Sequence, residues 1–456
     1  SGTTASLLSW PVLSQNSVCG RALVAMLNVA CRNFVTVHSR CTTCTAPQLR
    51  RLRESVRPLA AFAGIQDAGF LSAPQFCKDS TPLPVFRLLD EAGDLLPDAE
   101  LPFTTEVMLD LYRTMAKVTQ VDYVLNNLQR QGRISFYMTG HGEEAAGVGS
   151  AAGLQFTDVI WPQYRELGVF LHRGFTIQQV VDQCMSRGDE AGKGRQMPVH
   201  YCAAELNIQA VTSPLATQIP QSVGAGYAFR TAGMDRCAVS YFGDGAASEG
   251  DFAVALNFAA TLKSQVIFIC RNNGWAISTP VKEQYAGDGI AARAPAYGMT
   301  AIRVDGNDLA AVYKATQLAR ERCVTREEPV LIELMTYRRA HHSTSDDATR
   351  YRVGDEVKRM AREGLEPLSR VRLYLQKIGK WKEGFDEEVR EAAKTEVMNA
   401  LRVAEAKKFA SIKDMFADVY AVEPPHLKIQ HQELLEHLAR HPDKYDLSKY
   451  EGGPGA

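Results

Sequence analysis

The stretch from Tyr241 to Thr279, YFGDGAASEGDFAVALNFAATLKSQVIFICRNNGWAIST, constrains the fold more than any other part of the chain. An apolar run from Cys237 to Phe242 stops at Gly243-Asp244-Gly245. A helical pattern follows, with Phe252, Leu256, Ala259 and Leu262 recurring on one face. A second apolar run, Val266 to Cys270, ends at Asn272-Asn273-Gly274. Strand, helix and strand in so short a span predict a βαβ unit and hence a parallel sheet. Both polar clusters then fall at the carboxyl ends of neighbouring strands, where open α/β sheets bind ligands. There the carboxylate of Asp244 and the amide oxygen of Asn273 make a hard, oxygen-only cation site. Magnesium suits such a site and usually holds a substrate phosphate as well. Either dipeptide alone reads equally well as a plain turn. The pairing across 26 intervening residues, with each element in its place, is what favours a magnesium–diphosphate site.

A formal net charge of −1 gives no basis for a nucleic-acid-binding surface. No apolar run is long enough to predict a membrane-spanning helix. The ten cysteines show no metal-ligand pattern: Cys41 and Cys44 form a lone CxxC, and Cys184, Cys237 and Cys270 read as small core hydrophobes. Residues 1–53 hold six arginines and no Asp or Glu, among many Ser, Thr, Ala and Leu, which is the composition of a mitochondrial transit peptide, with a disordered basic tail as the alternative. Residues 54–101 read as an extension with one short strand, Pro84 to Leu89. The α/β body is expected over 102–353, opening with a helix from Thr105 to Gln131 that carries Met108, Leu111, Met115 and Val118 on its apolar face. Charged, glycine-poor residues 354–445 predict a helical region, and 446–456 a tail, disordered over its last residues from Glu451.

The Gly-Asp-Gly to Asn-Asn pattern resembles the thiamine diphosphate motif of the transketolase and 2-oxo acid dehydrogenase enzymes. Four further runs carry a closer resemblance: QGRISFYMTGHGEEAAGVGSAAGL (131–154), GKGRQMPVHY (192–201), SPLATQIPQSVGAGYA (213–228) and MTYRRAHHSTSDD (335–347). They are similar to the α subunits of mitochondrial branched-chain 2-oxo acid dehydrogenases, the thiamine-dependent decarboxylating component, over about 83–441. Gly194-Arg195-Gln196-Met197-Pro198 and His341-His342-Ser343 stand where pyruvate-specific relatives usually read differently, which favours branched-chain substrates. The resemblance implies a parallel-sheet α/β fold with helices on both faces, bound thiamine diphosphate with magnesium and potassium, and a place in the mitochondrial matrix.

Residue roles follow from it position by position. Magnesium takes Asp244, Asn273 and the backbone carbonyl of Trp275; Asp244 stands where many branched-chain members have Glu, and Trp275 where Tyr is more usual. Tyr164, Arg165, Ser213, Leu215, Gly245, Ala246, Arg271 and His342 hold the cofactor. For Arg271 the residues themselves support this, because it follows a buried run and ends at the same strand tip. Potassium lies near Thr212, Pro214, Thr217 and Gln218, although a hydroxyl-rich helix start would look the same. On the residues alone, the His341–His342 pair is a solvated loop feature or a metal ligand. The resemblance makes His342 catalytic, contacting the diphosphate and assisting acyl transfer to lipoamide. It makes Ser343 a regulatory phosphorylation site, with Val353 where some relatives carry a second serine.

The glutamate that activates the cofactor comes from the β subunit in this family. The chain is therefore expected to work within an α2β2 heterotetramer, on a lipoyl-bearing transacylase core, with a regulatory kinase and phosphatase. The alternatives are an α subunit for pyruvate or another 2-oxo acid and, from a different class, a non-catalytic scaffold subunit.

Overall fold

The strand pairing of Tyr241–Thr279 follows the expected pattern. In the computed structural model, which describes residues 73–74, 81–362 and 366–453, β3 (Ala238–Gly243) and β4 (Val266–Asn272) are parallel neighbours, with Gly243 opposite Arg271. Every residue of β4 is buried, as a strand covered on both faces must be. The sheet has six strands in the order β1-β7-β8-β4-β3-β2, all parallel. Its other members are β1 (Val85–Phe86), β2 (Val159–Trp161), β7 (Thr300–Asp305) and β8 (Val330–Met335). A small hairpin of β5 (Trp275–Ala276) and β6 (Thr279–Pro280) follows β4 directly.

The main helices are α1 (Thr105–Arg130), α2 (Glu144–Ala152), α3 (Ile177–Cys184), α4 (Gln218–Thr231), α5 (Gly250–Leu262), α6 (Leu309–Thr325), α7 (Pro367–Lys377), α8 (Phe385–Ala406) and α9 (Pro425–Arg440). The expected apolar face of α1 is buried at Met108, Leu111, Met115 and Val118. In α5, Phe252, Leu256 and Ala259 are buried, while Leu262 is only half-buried at the end of the helix. Two apolar clusters cover the sheet. One joins α1, α2 and α6 to the carboxyl-terminal helices α7 and α8, the other includes α4 and α5.

From Thr81 onward the chain forms one compact unit. Tyr112 of α1 donates to Asp386 of α8 at 2.6 Å and stacks edge-on against Trp381, which fastens the helical region to the sheet-bearing part. The short expected strand at Pro84–Leu89 shrinks to β1, because Leu88 and Leu89 turn their N–H groups to the Asp308 carboxylate (2.6 and 2.7 Å). Glu451, read from sequence as the start of a free tail, is pinned: its N–H donates to Phe409 O at 2.9 Å, and Tyr450 packs on the Phe409 ring. The transit-peptide expectation for 1–53, and with it Cys41 and Cys44, lies outside the described residues.

Candidate functional site

The sheet places the two polar clusters side by side. Asp244 leaves β3 and Asn273 leaves β4 one residue past their adjacent ends. The Asn273 N–H donates to Asp244 Oδ1 at 3.2 Å, and Gln284 Nε2 donates to Oδ2 at 2.8 Å. Asp244 is only 1 % exposed, and that burial pushes its pKa up against the pull of these two hydrogen bonds. Gly245 is required here, since a Cβ at that position would lie 2.8 Å from the Cβ of Ala276. Asn273 Oδ1 accepts a long bond from the Trp275 N–H (3.3 Å), and its Nδ2 donates to Glu143 Oε1 at 2.9 Å. Among the described residues, the Trp275 carbonyl accepts only a weak 3.4 Å contact from Arg338.

A cavity of about 370 Å³ opens on this corner. Its lining brings together Tyr164, Arg165, Ser213, Leu215, Asp244, Gly245, Ala246, Arg271, Asn273, Trp275 and His342, although they come from segments nearly 180 residues apart. Phe136, Met138, Met197 and Ile277 give it an apolar wall and rim. Met197, Leu215 and Ile277 at the mouth are 49 %, 40 % and 53 % exposed.

Arg271 enters the cavity with its charge already paired. Its Nη1 donates to Glu143 Oε2 at 2.5 Å, and Glu166 Oε1 lies 2.5 Å from its Nε as an ion pair rather than an aligned hydrogen bond. Burial alone would lower its pKa; the carboxylates of Glu166 and Glu143 hold it above the usual range instead. Arg165 is freer. It donates to Thr139 O at 2.5 Å and His342 O at 2.7 Å, with the nearest carboxylate, Glu143, 4.0 Å away.

His342 sits between two guanidinium groups. Arg165 Nη2 is 3.2 Å and Arg338 Nη1 3.4 Å from its Nδ1. Both neighbours only donate, so Nδ1 must be the acceptor and Nε2 carries the hydrogen. Burial, followed by the charges of Arg165 and Arg338, pushes its pKa down to about 3. An unfolded histidine titrates near ~6.5. The folded value is depressed, so the contribution of His342 to stability is present above pH ~6.5 and is lost as the pH falls toward about 3. In the cofactor-free protein, nitrogen NMR is expected to find His342 neutral and protonated on Nε2 at pH 5. A cationic ring at that pH contradicts the two-arginine environment.

The other expected residues lie nearby but not in the cavity. Thr217 precedes α4 without capping it, donating its hydroxyl to Pro214 O at 3.1 Å, so a simple helix cap does not explain the hydroxyl-rich run. Gln218 Nε2 donates to Tyr241 O at 2.9 Å, and Thr212 Oγ1 is buried without a partner among the described residues. Ser343, next to His342 in sequence, faces a second cavity of about 210 Å³ with Asp122, His141 and His341. His341 itself accepts from the Ala348 N–H at 2.9 Å and shapes the loop.

Sequence reasoning missed several residues that build the site: Glu143, Gln163, Glu166, His200, Gln284 and Arg338. Gln163 Oε1 accepts from the Gly243 N–H (2.8 Å) and Arg271 (3.2 Å), and His200 Nε2 accepts from Ser213 Oγ at 2.6 Å. The available signal was the density of charged residues in Gly142-Glu143-Glu144 and Gln163-Tyr164-Arg165-Glu166 beside otherwise apolar helices.

Residues 112–413 match the family described as the dehydrogenase E1 component. The chain is 50% identical over 370 residues to the protein named 2-oxoisovalerate dehydrogenase subunit alpha, mitochondrial, of Dictyostelium discoideum, covering 81% of this chain and 84% of that one. It is 46% identical over 427 residues to the protein of the same name from Caenorhabditis elegans (93% and 97% covered) and 48% identical over 370 residues to that of Homo sapiens (81% and 83%). With the expected cavity on a parallel sheet, these similarities place the chain in the dehydrogenase E1 component family, in the group of the 2-oxoisovalerate dehydrogenase α subunits.

Proposed function

We propose that this chain is the α subunit of a branched-chain 2-oxo acid dehydrogenase that carries thiamine diphosphate in the 370 Å³ cavity and decarboxylates 2-oxoisovalerate and related acids. The observation that carries this reading is the meeting of Asp244, Asn273, Arg165 and His342 in one apolar-walled cavity at adjacent strand ends. Membership in the E1 component family implies the cofactor. Bound there, thiamine diphosphate supplies the electron sink that decarboxylation of a 2-oxo acid requires.

The chain's residues hold and orient. Asp244, the Asn273 amide oxygen and the Trp275 carbonyl ligate magnesium, whose charge offsets the burial that disfavours the Asp244 carboxylate. Arg165 and the Gly245–Ala246 backbone face the diphosphate, with Ser213, Tyr164 and Leu215 beside them. Arg271 adds a cation already balanced by Glu143 and Glu166. His342 offers its Nε2–H to the reacting group while both arginines fix the ring. Phe136, Met138 and Met197 suit a branched aliphatic side chain. The unpaired Thr212 oxygen beside Pro214, Thr217 and Gln218 fits a potassium ion that braces the turn.

The partner is a β subunit in an α2β2 heterotetramer, contributing the activating glutamate and covering the exposed apolar rim of Met197, Leu215 and Ile277. A lipoyl-bearing core accepts the acyl group, and a kinase and phosphatase act at Ser343. The acid-free, arginine-bearing residues 1–53 serve import into the mitochondrial matrix.

The test is co-expression with the cognate β subunit and a thiamine-dependent decarboxylation assay. The heterotetramer is expected to favour 2-oxoisovalerate over pyruvate, and the isolated chain to be inactive. Preference for pyruvate, or turnover by the chain free of any partner, contradicts the assignment.

A further inference from the structure

Glu143 is a buried carboxylate at the entry to α2, 3 % exposed, placed between three groups of the site. Its backbone is fixed from both sides: its N–H donates to Gly140 O (2.9 Å), and its carbonyl accepts from the Gly147 N–H (3.2 Å). Its two oxygens are divided. Oε1 accepts from Asn273 Nδ2 at 2.9 Å and lies 4.0 Å from Arg165 Nε, while Oε2 accepts from Arg271 Nη1 at 2.5 Å.

An asparagine amide has two faces of nearly equal shape, one donating and one accepting. A carboxylate only accepts, so Glu143 fixes the donating face of Asn273 toward itself. The accepting face is left to the Trp275 N–H (3.3 Å), while the Asn273 backbone N–H donates to Asp244 Oδ1 (3.2 Å) and keeps the two residues adjacent. Reversing the amide would set Nδ2 against the Trp275 N–H and Oδ1 against a carboxylate, which are two repulsive contacts in place of two bonds.

We propose that Glu143 is a positioning residue for the metal: it orients the Asn273 amide so that Oδ1 is presented to magnesium, and ties that orientation to Arg271 and Arg165. This rests on the magnesium–thiamine diphosphate reading of the cavity. The competing view is that Glu143 is only a counter-ion for Arg271. The two differ at Asn273, which a counter-ion role leaves indifferent.

The experiment uses the co-expressed α2β2 complex and follows thiamine diphosphate binding by calorimetry across a magnesium titration, with assembly checked by sedimentation. Glu143→Gln keeps the shape but gives one of the two donors a donor to face. The magnesium concentration for half-maximal binding is expected to rise about 10- to 100-fold, as for other partners of metal ligands. Glu143→Gln combined with Asn273→Asp restores complementarity, because the introduced amide donates to the introduced carboxylate, and the requirement is expected to return to within about fivefold of wild type. Asn273→Asp alone sets two carboxylates face to face. It is expected to raise the magnesium requirement despite adding a negative ligand, and it reports even if Glu143→Gln fails to assemble.

A Glu143→Gln complex within about threefold of wild type overturns the proposal. So does a double variant no better than the single one, or an Asn273→Asp complex that binds magnesium more tightly. Each of these leaves the cavity reading standing if the wild type shows magnesium-dependent binding. Wild-type binding that ignores magnesium overturns both.

Discussion

Replacing Asp244 by alanine is expected to abolish magnesium-dependent thiamine diphosphate binding in the assembled complex, a loss of about 100-fold or more in affinity, because the cation loses its only charged protein ligand. The same change bears on folding. Asp244 is 1 % exposed and accepts from Gln284 and from the Asn273 N–H; alanine leaves the buried Asn273 N–H unpaired at about 1–3 kcal/mol, whereas the half-buried Gln284 amide keeps its 3.3 Å bond to Thr279 O. Against that, a buried carboxylate whose pKa is raised is itself a burden on the metal-free protein at neutral pH. The two effects oppose, so only a modest fall in melting temperature is expected, while the stabilisation that magnesium and cofactor give the wild type by mass action disappears.

The sign of the pH dependence follows. A folded pKa raised above the unfolded one means that the protonated Asp244 adds stability at low pH, and that this is lost as the pH rises through the folded value. Metal binding has the opposite dependence and weakens as the pH falls through it. Asp244→Asn, closer in shape, separates charge from packing. Calorimetry decides the matter: cofactor affinity within about threefold of wild type in Asp244→Ala removes the metal assignment.

What the sequence made legible was local. The β3–α5–β4 unit is encoded in one continuous stretch by two apolar runs, a helical face and two polar stops, so its parallel pairing and the approach of Asp244 to Asn273 could be derived. The interior of α1 was equally readable, since Met108, Leu111, Met115 and Val118 repeat on one face. What joins distant segments was not. Glu143 and Arg271 are 128 positions apart, and Arg165 and His342 are 177 apart, so no local pattern announces either pair. A buried arginine with two carboxylates looks like any strand-end arginine in sequence. Resemblance supplied the residues proposed to hold the cofactor, but not the partners that orient them.

The loop of His342 and Ser343 shows why neighbours in sequence can act at different sites. The resemblance sets Ser343 directly beside His342, the residue it gives to the diphosphate. In the fold His342 turns to the 370 Å³ cavity beside Asp244 and Ser343 to the second cavity, where Asp122 lies. Arg165 clamps the carbonyl of His342 (2.7 Å), and one residue beyond Ser343 the Thr344 hydroxyl accepts from the Tyr137 N–H (3.0 Å). Ser343 is therefore the point between two anchors.

Ser343→Glu is expected to suppress turnover with the lipoyl acceptor about 100-fold, whereas Ser343→Ala stays within about threefold of wild type, because the hydroxyl makes only a 3.2 Å contact with the Ser345 N–H. The added carboxylate enters the cavity that the buried Asp122 also lines, an acid that accepts from Tyr137 Oη (2.9 Å) and the Gly140 N–H (2.7 Å). Close like charges there repel by on the order of a few kcal/mol, enough to release both anchors and carry His342 away from the cavity. Phosphate, with more charge, acts the same way. Burial pushes the Asp122 pKa up to about 7, so the repulsion is weaker below that pH, where the carboxyl is neutral, and grows as the pH rises through it. Combining Ser343→Glu with Asp122→Asn is expected to restore about tenfold of the lost turnover, roughly half of the lost free energy. If Ser343→Glu turns over like wild type, the loop does not govern the site and the role given to His342 falls with it. If it is inactive but Asp122→Asn brings nothing back, the charge acts elsewhere, on the diphosphate or on Asp346 and Asp347, and Asp122 has no part in the switch.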